Sequence, residues 1–307
     1  MAEPAAARPT RGRGRSRPWG LAVAAMLSVQ LGSALSVDVI STVGPAGTAW
    51  LRLSIGALVF IALARPPLRQ VRRRDLPTLL GLGVTTGLQT VAFLAAIERI
   101  PLGTCVAIEF LGPLTVAALR SHSTRALTWP GLAALGVVLL TQPWEGDVNA
   151  GGVGYAVVAA IGWAGYIVLT QRLGDRFAGL AGLSLTVPVA AATAAVAGIP
   201  QAAGHLTLGV LAAAAGLAVL LPVLPFACEL LALRRMTSSA FGTLMALEPA
   251  MGVLLGVLVL HQTPSSPGQV AGILLVVLAG AAAQRDGLRR PPVDDQERID
   301  AELDLAG

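Results

Sequence analysis

The sequence predicts an all-α integral membrane protein with ten transmembrane helices. Of its 307 residues, 54% are hydrophobic and 13% are charged, and the mean hydropathy is +0.71, which lies outside the usual range of soluble domains. Apolar runs of about 20 residues, enough to cross roughly 30 Å of hydrocarbon as a helix, recur along almost the whole chain. They are continuously apolar, whereas the strands of a membrane β-barrel are short and alternate.

Charged or Pro/Gly-rich breaks separate the runs and define the predicted spans. In order, the spans cover residues 19–40, 47–64, 76–97, 101–119, 127–143, 151–170, 179–199, 207–231, 238–260 and 267–284. The first run follows a basic start, as in a secretory signal, but it is too long for one and nine more runs follow. The remaining segments are a basic tail, 1–18, and a polar, acidic tail, 285–307, which we expect to be disordered.

The distribution of arginine predicts the orientation of the spans. The chain has 22 basic residues, all of them arginine, and 20 of these fall in the two tails or in loops on one side of the predicted bundle. The positive-inside rule places that side, with both termini, in the cytoplasm. This topology signal explains the sequence pI near 10.4 without a nucleic-acid partner. An arginine-rich tail also suits contact with anionic lipid or, as the alternative, RNA or DNA.

A weak internal repeat predicts two halves of five spans each. A shift of 136 residues aligns residues 92–101 with residues 228–237 without gaps and places Pro113 on Pro249. The identities in the aligned segment are Leu94 with Leu230, Ala96 with Ala232 and Arg99 with Arg235. Because five is odd, the second half is inverted relative to the first, as is typical of secondary transporters. Chance similarity between two Ala/Leu-rich segments is the alternative.

Two carboxylates lie near the middle of predicted spans, Glu109 in the fourth and Glu248 in the ninth. An acidic group at a helix centre costs about 2.5–3.5 kcal/mol on insertion scales, so the pair indicates either a function or protonated acids hydrogen-bonded between helices. Pro113 and Pro249 each remove a backbone hydrogen bond to the residue four positions earlier. This predicts a helix break facing protein or a cavity in both halves, and the pair of acids favours a site that binds a substrate amino group or carries a proton.

Other polar residues are predicted to line the same cavity. Helical spacing places three sets on one face each, namely Gln30 with Ser33, Thr85 and Thr86 with Gln89 and Thr90, and Trp163 with Tyr166 and Thr170. Trp163 lies at mid-membrane, away from the interfacial belt where tryptophan is common. A packed aromatic side chain with a hydrogen-bonded indole is the simpler alternative for Trp163.

The remaining polar residues of the spans are predicted to have structural or gating roles, as are the two prolines. Arg52, near the outer end of the second span, is expected to extend its head group outward or to pair with Asp38. Glu229, near the inner end of the eighth span, is expected to pair with Arg234 or Arg235. Two GxxxG spacings predict close helix packing: Gly83 with Gly87 and Gly252 with Gly256.

Missing residue types argue against other functional classes. The sequence contains no lysine, which excludes a Walker A motif and a Schiff-base lysine. His122, His205 and His261 fall in predicted loops and form no metal-binding spacing, so we expect neither metal nor cofactor. A membrane-embedded enzyme or a sensor, the rival class, needs a clustered acid/base or metal constellation, or a sizeable soluble domain.

Five segments carry a family resemblance. They are GPAGTAWLRL (44–53), PLGTCVAIEFLGPL (101–114), GWAGYIVLTQRLG (162–174), LPFACELLALRRM (224–236) and FGTLMALEPAMGVLLG (241–256). Over about residues 20–284 the chain resembles EamA-type transporters of the drug/metabolite transporter superfamily, and especially the bacterial threonine and homoserine exporters. The resemblance implies two inverted EamA repeats, 19–143 and 151–284, and export of small amphipathic metabolites, such as these amino acids, by alternating access.

The resemblance also bears on the substrate and on single residues. The positions that match the family pattern are Arg52, Glu109, Trp163, Tyr166, Glu229 and Glu248. One departure is Val37, beside Asp38, where the threonine and homoserine exporters have a lysine, and it leaves the exact substrate open. A drug, a sugar derivative or a nucleotide precursor is the alternative cargo. A strongly anionic cargo would need Arg or Lys at mid-depth, where we expect none. The coupling ion, with protons as the candidate, and a homodimer also stay open.

Overall fold

The computed structural model describes residues 18–120, 127–142, 149–173, 177, 179–233, 241, 244–264 and 266–288. Within these ranges the protein is all-helical and contains no strand. Its helices are α1 (Pro18–Ala64), α2 (Leu76–Ile97), α3 (Leu102–Glu109), α4 (Leu111–Arg120), α5 (Thr128–Thr141), α6 (Ala150–Leu173), α7 (Leu180–Ala202), α8 (Leu208–Ala218), α9 (Leu224–Leu233), α10 (Glu248–Leu260) and α11 (Pro267–Leu288). The predicted all-α class is therefore confirmed for this part of the chain.

Six segments of the described chain are long and apolar enough to cross a membrane, and three shorter apolar helices accompany them. Leucine, valine and isoleucine side chains cover the outside of the bundle; Leu58 and Ile161, for example, are each 68% exposed. An apolar outer surface of this kind suits contact with lipid. Most of the predicted tails, residues 1–17 and 289–307, lie outside the described residues.

Helix α1 joins two predicted spans but is broken between them. Gly44 has φ 72° and ψ 167°, a backbone conformation that glycine adopts without a steric penalty, and Pro45 follows it. The helix that resumes after the break has free backbone amides at its start. The Gln201 carboxamide at the end of α7 accepts hydrogen bonds from two of them, Ala46 N at 2.9 Å and Gly47 N at 3.3 Å. The Gln201 side chain thus provides a hydrogen-bond acceptor for two of the free backbone amides at the start of the resumed helix.

The predicted proline breaks are present at both carboxylates. Helix α3 ends at Glu109, Phe110 forms a turn, and α4 begins at Leu111, so the interruption lies just before Pro113. Ala246 and Leu247 likewise form a turn before α10, which begins at Glu248 with Pro249 in its first turn. A third interruption joins α8 to α9 through one turn of π-helix, Val219–Val223. Three of the helical segments are therefore interrupted within their length.

Glycine at the helix crossings lets the backbones approach closely. A Cβ atom added to Gly83 would lie 2.4 Å from Val189 Cβ, and one added to Gly87 would lie 2.6 Å from the Ala190 carbonyl oxygen. Both neighbours belong to α7, so this GxxxG pair marks the α2–α7 crossing, as predicted. The second pair packs α10 against α3, where Gly252 faces Val106 and Gly256 faces Leu102.

The closest symmetrical approach joins α5 and α11. A Cβ on Gly136 would lie 2.7 Å from the Gly272 carbonyl oxygen, and a Cβ on Gly272 would lie 2.5 Å from the Gly136 carbonyl oxygen. Each glycine therefore packs directly on the backbone of the other. Backbone atoms cannot move aside as a flexible side chain can, so this crossing tolerates no side chain at either position.

Substituting one of these glycines tests the α5–α11 crossing. We expect Gly136→Ala to lower the free energy of unfolding by about 1–3 kcal/mol, as overpacking typically does. Gly131→Ala is the matched control, because Gly131 lies on the same helix with no atom within 4 Å of an added Cβ. The readout is the temperature at which the buried, free thiol of Cys105 becomes reactive in detergent, measured in a Cys228→Ser background. Equal melting of both variants would contradict this packing.

Candidate functional site

A polar cavity of about 180 Å³ lies at the level of the helix interruptions. Side chains from both parts of α1 and from α2, α3, α6 and α10 contribute to it, as does the π-helical turn. The lining residues are Val29, Gln30, Ser33, Arg52, Gln89, Thr90, Phe93, Glu109, Trp163, Leu221 and Glu248. Three of these residues carry ionisable side chains. The cavity therefore gathers most of the charge buried inside the described part of the bundle.

The helix interruptions position the two carboxylates. Glu109 is the last residue of α3 and Glu248 the first residue of α10; their exposed fractions are 8% and 6%. The positive end of a helix dipole stabilises an acidic group in the first turn, which favours Glu248 at the start of α10. Gln89 on α2 donates a hydrogen bond from Nε2 to Glu109 Oε1 at 3.0 Å. On the other side, the amide of Gln30 neighbours the carboxyl of Glu248.

Several buried polar atoms of the cavity lack a hydrogen-bond partner. Among the described residues the atoms of this kind are Gln30 Oε1, Arg52 Nη1, Glu248 Oε2 and, away from the cavity, Gln142 Oε1. Buried polar groups are almost always hydrogen-bonded to protein or to water. Two unsatisfied acceptors and one unsatisfied cationic donor around a single cavity therefore fit a polar occupant that has both donors and acceptors.

The π-helical turn closes one side of the cavity. Leu221 there has extended backbone angles, φ −151° and ψ 107°, and its side chain packs on Gly32 of α1. The hydroxyl of Ser28 donates to the Leu220 carbonyl oxygen at 2.8 Å, so a side chain of α1 satisfies a backbone acceptor of the irregular turn. Irregular backbone at membrane depth needs such partners, or a polar cavity.

An aromatic pair forms another wall. Trp163 of α6 lines the cavity, and its ring meets Phe110 edge to face with centroids 6.2 Å apart. Phe110 is the turn residue between α3 and α4, directly after Glu109. The indole thus packs against the interruption that positions the carboxylate. Trp163 therefore both lines the cavity and packs against an aromatic ring. Its role toward a substrate stays a prediction.

The cavity brings together eight of the residues proposed from the sequence and leaves others apart. The eight are Gln30, Ser33, Arg52, Gln89, Thr90, Glu109, Trp163 and Glu248. Thr86 does not line the cavity, and its hydroxyl donates to the Leu82 carbonyl in its own helix at 2.8 Å. Tyr166 is also absent from the lining and neighbours Glu229 and Thr170 instead. Arg234 and Arg235, the expected partners of Glu229, lie outside the described residues.

The prediction for Arg52 was wrong. Its side chain does not extend outward and does not pair with Asp38, which is exposed. Arg52 is only 7% exposed, because its side chain faces a cavity that residues of α2, α3, α6 and α10 enclose with it. Arg52 therefore shares the cavity with the two acids that were predicted at mid-depth, where no cation was expected.

Three lining residues were not predicted from the sequence. Val29, Phe93 and Leu221 are apolar, and the search for polar helix faces missed them. Phe93 is four residues after Gln89 and so lies on the same helix face, a spacing that identifies it. Leu221 precedes Pro222. Because proline interrupts a helix, Pro222 was the sequence signal for the irregular turn that contains Leu221.

A second cavity of about 250 Å³ lies where α3 begins and α10 ends. Its polar lining consists of neutral side chains: Thr104, Gln262, Thr263 and Gln269. Gln262 also accepts a hydrogen bond from Leu102 N at 2.9 Å, which caps the start of α3. The cavity with the charged side chains is the stronger candidate site, because burying charge at this depth is expensive without a function.

Comparison with known proteins agrees with this geometry. Residues 150–282 match the model of the EamA-like transporter family. The threonine/homoserine exporter RhtA of Salmonella typhimurium (strain LT2) is 34% identical over 280 residues, which cover 87% of this chain and 91% of the exporter. RhtA of Escherichia coli (strain K12) is 34% identical over 272 residues, covering 85% and 89%. The chain belongs to the EamA-like transporter family. It is therefore a multi-pass membrane transporter and not an enzyme.

A known crystal structure shares the fold. It superposes with a TM-score of 0.54 at 20% sequence identity and covers 88% of this chain and 96% of the other. The similarity extends over both halves of the sequence, whereas the family model matches the second half. The fold assignment thus rests on nearly the whole chain.

The hydrogen bond from Gln89 to Glu109 is the contact to test in the site. We expect Gln89→Leu to reduce transport about tenfold or more, since a hydrogen bond to a charged group contributes about 1.5–3 kcal/mol. Thr86→Val is the matched control one turn earlier on α2. Thr86 does not line the cavity, and its hydroxyl donates to the Leu82 carbonyl at 2.8 Å. The measurement is substrate uptake into proteoliposomes, and equal rates for both variants would contradict the role of Gln89.

Proposed function

We propose that this chain exports threonine, homoserine or closely related amino acids from bacteria by alternating access through the charged cavity. The observation that carries the proposal is a cavity with two buried carboxylates and an arginine, set at helix interruptions, in a chain 34% identical to threonine/homoserine exporters over most of its length. Amino acids carry an ammonium and a carboxylate, and the cavity offers charged partners for both.

The size of the cavity favours a small substrate. A water molecule occupies about 30 Å³ in the liquid, so a cavity of about 180 Å³ has the volume of about six waters. Drug-sized ligands occupy pockets of about 300–1,000 Å³. A drug or a nucleotide precursor is therefore less well supported as the cargo than a small amino acid. The arginine in the cavity removes the earlier objection to an anionic group on the substrate.

The proposal includes ten membrane crossings in two inverted halves, 19–143 and 151–284. The break at Gly44 divides α1 into two crossings, while α3 with α4, and α8 with α9, each supply one. Support for a two-fold relation comes from Gly136 and Gly272, which are separated by 136 residues, the same shift that aligns the two halves. Each contacts the carbonyl oxygen of the other, as residues related by a two-fold axis do. Two such halves can exchange conformations around a shared site.

In the proposed orientation the protein spans a bacterial inner membrane and both termini lie in the cytoplasm. With ten crossings, 20 of the 22 arginines lie on the cytoplasmic side, in agreement with the positive-inside rule.

Protons are the proposed coupling ion. The cavity holds two carboxyl groups but one arginine, so one acid remains to exchange a proton when the other neutralises the arginine charge. Intramembrane carboxylates serve as proton relays in many transporters. Binding of the amino acid's ammonium and release of a proton would then compete for the same carboxyl group, which couples export to proton entry.

Replacement of the two acids tests this function. We expect Glu109→Gln and Glu248→Gln each to reduce efflux of labelled threonine and homoserine from proteoliposomes at least tenfold and to flatten its dependence on pH, because an amide neither pairs with an ammonium nor carries the proton. Asp38→Asn is the control, since this carboxylate is exposed on α1. Wild-type transport and pH dependence in both glutamine variants would remove the acids from the mechanism.

A further inference from the structure

Arg52 is buried beside the acids of the cavity, but among the described residues it forms no direct ion pair with either of them. The side chain is 7% exposed, its Nη1 atom has no hydrogen-bond partner, and it lines the charged cavity. The ion pairs found among the described residues join Arg74 to Asp75 and Arg99 to Glu98, so neither carboxylate of the cavity contacts the guanidinium directly. Glu109 interacts with Arg52 through its charge but leaves Nη1 without a hydrogen bond. A buried charge needs hydrogen bonds as well as a countercharge, which favours an anionic group that meets the guanidinium during the transport cycle.

The other unsatisfied atoms of the cavity are acceptors. Gln30 Oε1 and Glu248 Oε2 are buried and unpartnered, while Glu109 is held by Gln89. An ammonium group has three donors and no acceptor, so it complements these oxygens. A guanidinium complements a carboxylate through two parallel hydrogen bonds. The unsatisfied atoms therefore match both ends of a zwitterion, with opposite charges on different sides of a small cavity.

We propose that Arg52 binds the α-carboxylate of the substrate and restricts transport to amino acids whose carboxylate is free. This inference deepens the proposed function and rests on it. Glu109 and Glu248 with Gln30 bind the ammonium, and Arg52 supplies the specificity for the other end. Amides, esters and decarboxylated amines present an ammonium alone and leave the guanidinium unpaired, so the site rejects them.

The experiment compares two substrates that differ at the carboxylate. Purified wild-type protein, Arg52→Gln and Arg52→Lys are reconstituted, and uptake of labelled L-threonine and L-threoninamide is measured. We expect the wild type to prefer threonine by at least tenfold, and Arg52→Gln to lose most threonine transport together with that preference. Arg52→Lys keeps a point charge without the paired donors, so it retains the preference at a lower rate. Arg99→Gln, outside the cavity, is the arginine control and behaves as the wild type.

Thermal protection provides a readout that does not depend on a folded Arg52→Gln variant. We expect L-threonine to raise the melting temperature of the wild-type protein, and L-threoninamide and 1-aminopropan-2-ol, which lacks the carboxylate, not to raise it. Equal protection by all three compounds would overturn the proposal. Transport by Arg52→Gln that still discriminates tenfold against threoninamide would overturn it as well.

These outcomes separate the proposal from the proposed function. If the wild type transports neither threonine nor homoserine, the amino acid assignment fails at that step. If it transports both threonine and threoninamide at similar rates, the assignment as an exporter of amino compounds stands and the role of Arg52 fails. Loss of discrimination in Arg52→Gln alone supports both.

Discussion

The structure depends on one constraint: ionisable groups and interrupted backbone at membrane depth must find partners inside the protein. Neither lipid nor distant water can satisfy a carboxylate, a guanidinium or a free carbonyl in the hydrocarbon region. Glu109 and Glu248 therefore lie where helices α3 and α10 are interrupted, and Arg52 faces the same cavity. The helix interruptions, the two acids and the arginine are polar groups that can be satisfied only by other polar groups inside the bundle. They therefore cluster and form a polar site in an apolar bundle.

Close packing around that site depends on small residues. Without a hydrophobic driving force between helices in lipid, backbones associate through van der Waals contact at glycine and alanine. Gly83 and Gly87 allow α2 to pack closely against α7, and Gly136 and Gly272 allow α5 to pack closely against α11. Large aliphatic side chains instead cover the outer surface of the bundle. This distribution of small and large residues gives a bundle that is closely packed at its crossings and contains a cavity at its centre.

The sequence predicted the helices better than the surroundings of single side chains. The predicted span 76–97 coincides with α2, Leu76–Ile97, because length and hydropathy determine where a helix can cross a membrane. Proline spacing predicted the breaks at Glu109 and Glu248, since a proline removes a specific backbone bond. The ten-crossing count and the roles of the site residues stay predictions.

Tertiary packing decided the cases that sequence reasoning could not. Arg52 was expected to extend outward because it lies near the end of its span, but it is buried and lines the cavity with residues of α2, α3, α6 and α10. Thr86 shares a helical face with Gln89, yet its hydroxyl is used by the carbonyl of Leu82. The position of a residue along its own helix does not reveal which other helices cover its side chain. An estimate of exposure that counts residues from the end of a span is therefore unreliable.

The proposed exchange of a proton for the amino acid has an electrical consequence. A zwitterion leaving the cell carries no net charge, whereas a proton entering on one of the carboxyls carries one. Each cycle of proton exchange would therefore move one positive charge inward, and a membrane voltage of 100 mV contributes about 2.3 kcal/mol to that step. A cell at neutral external pH, with almost no proton gradient, would still be able to expel the amino acid on its voltage alone.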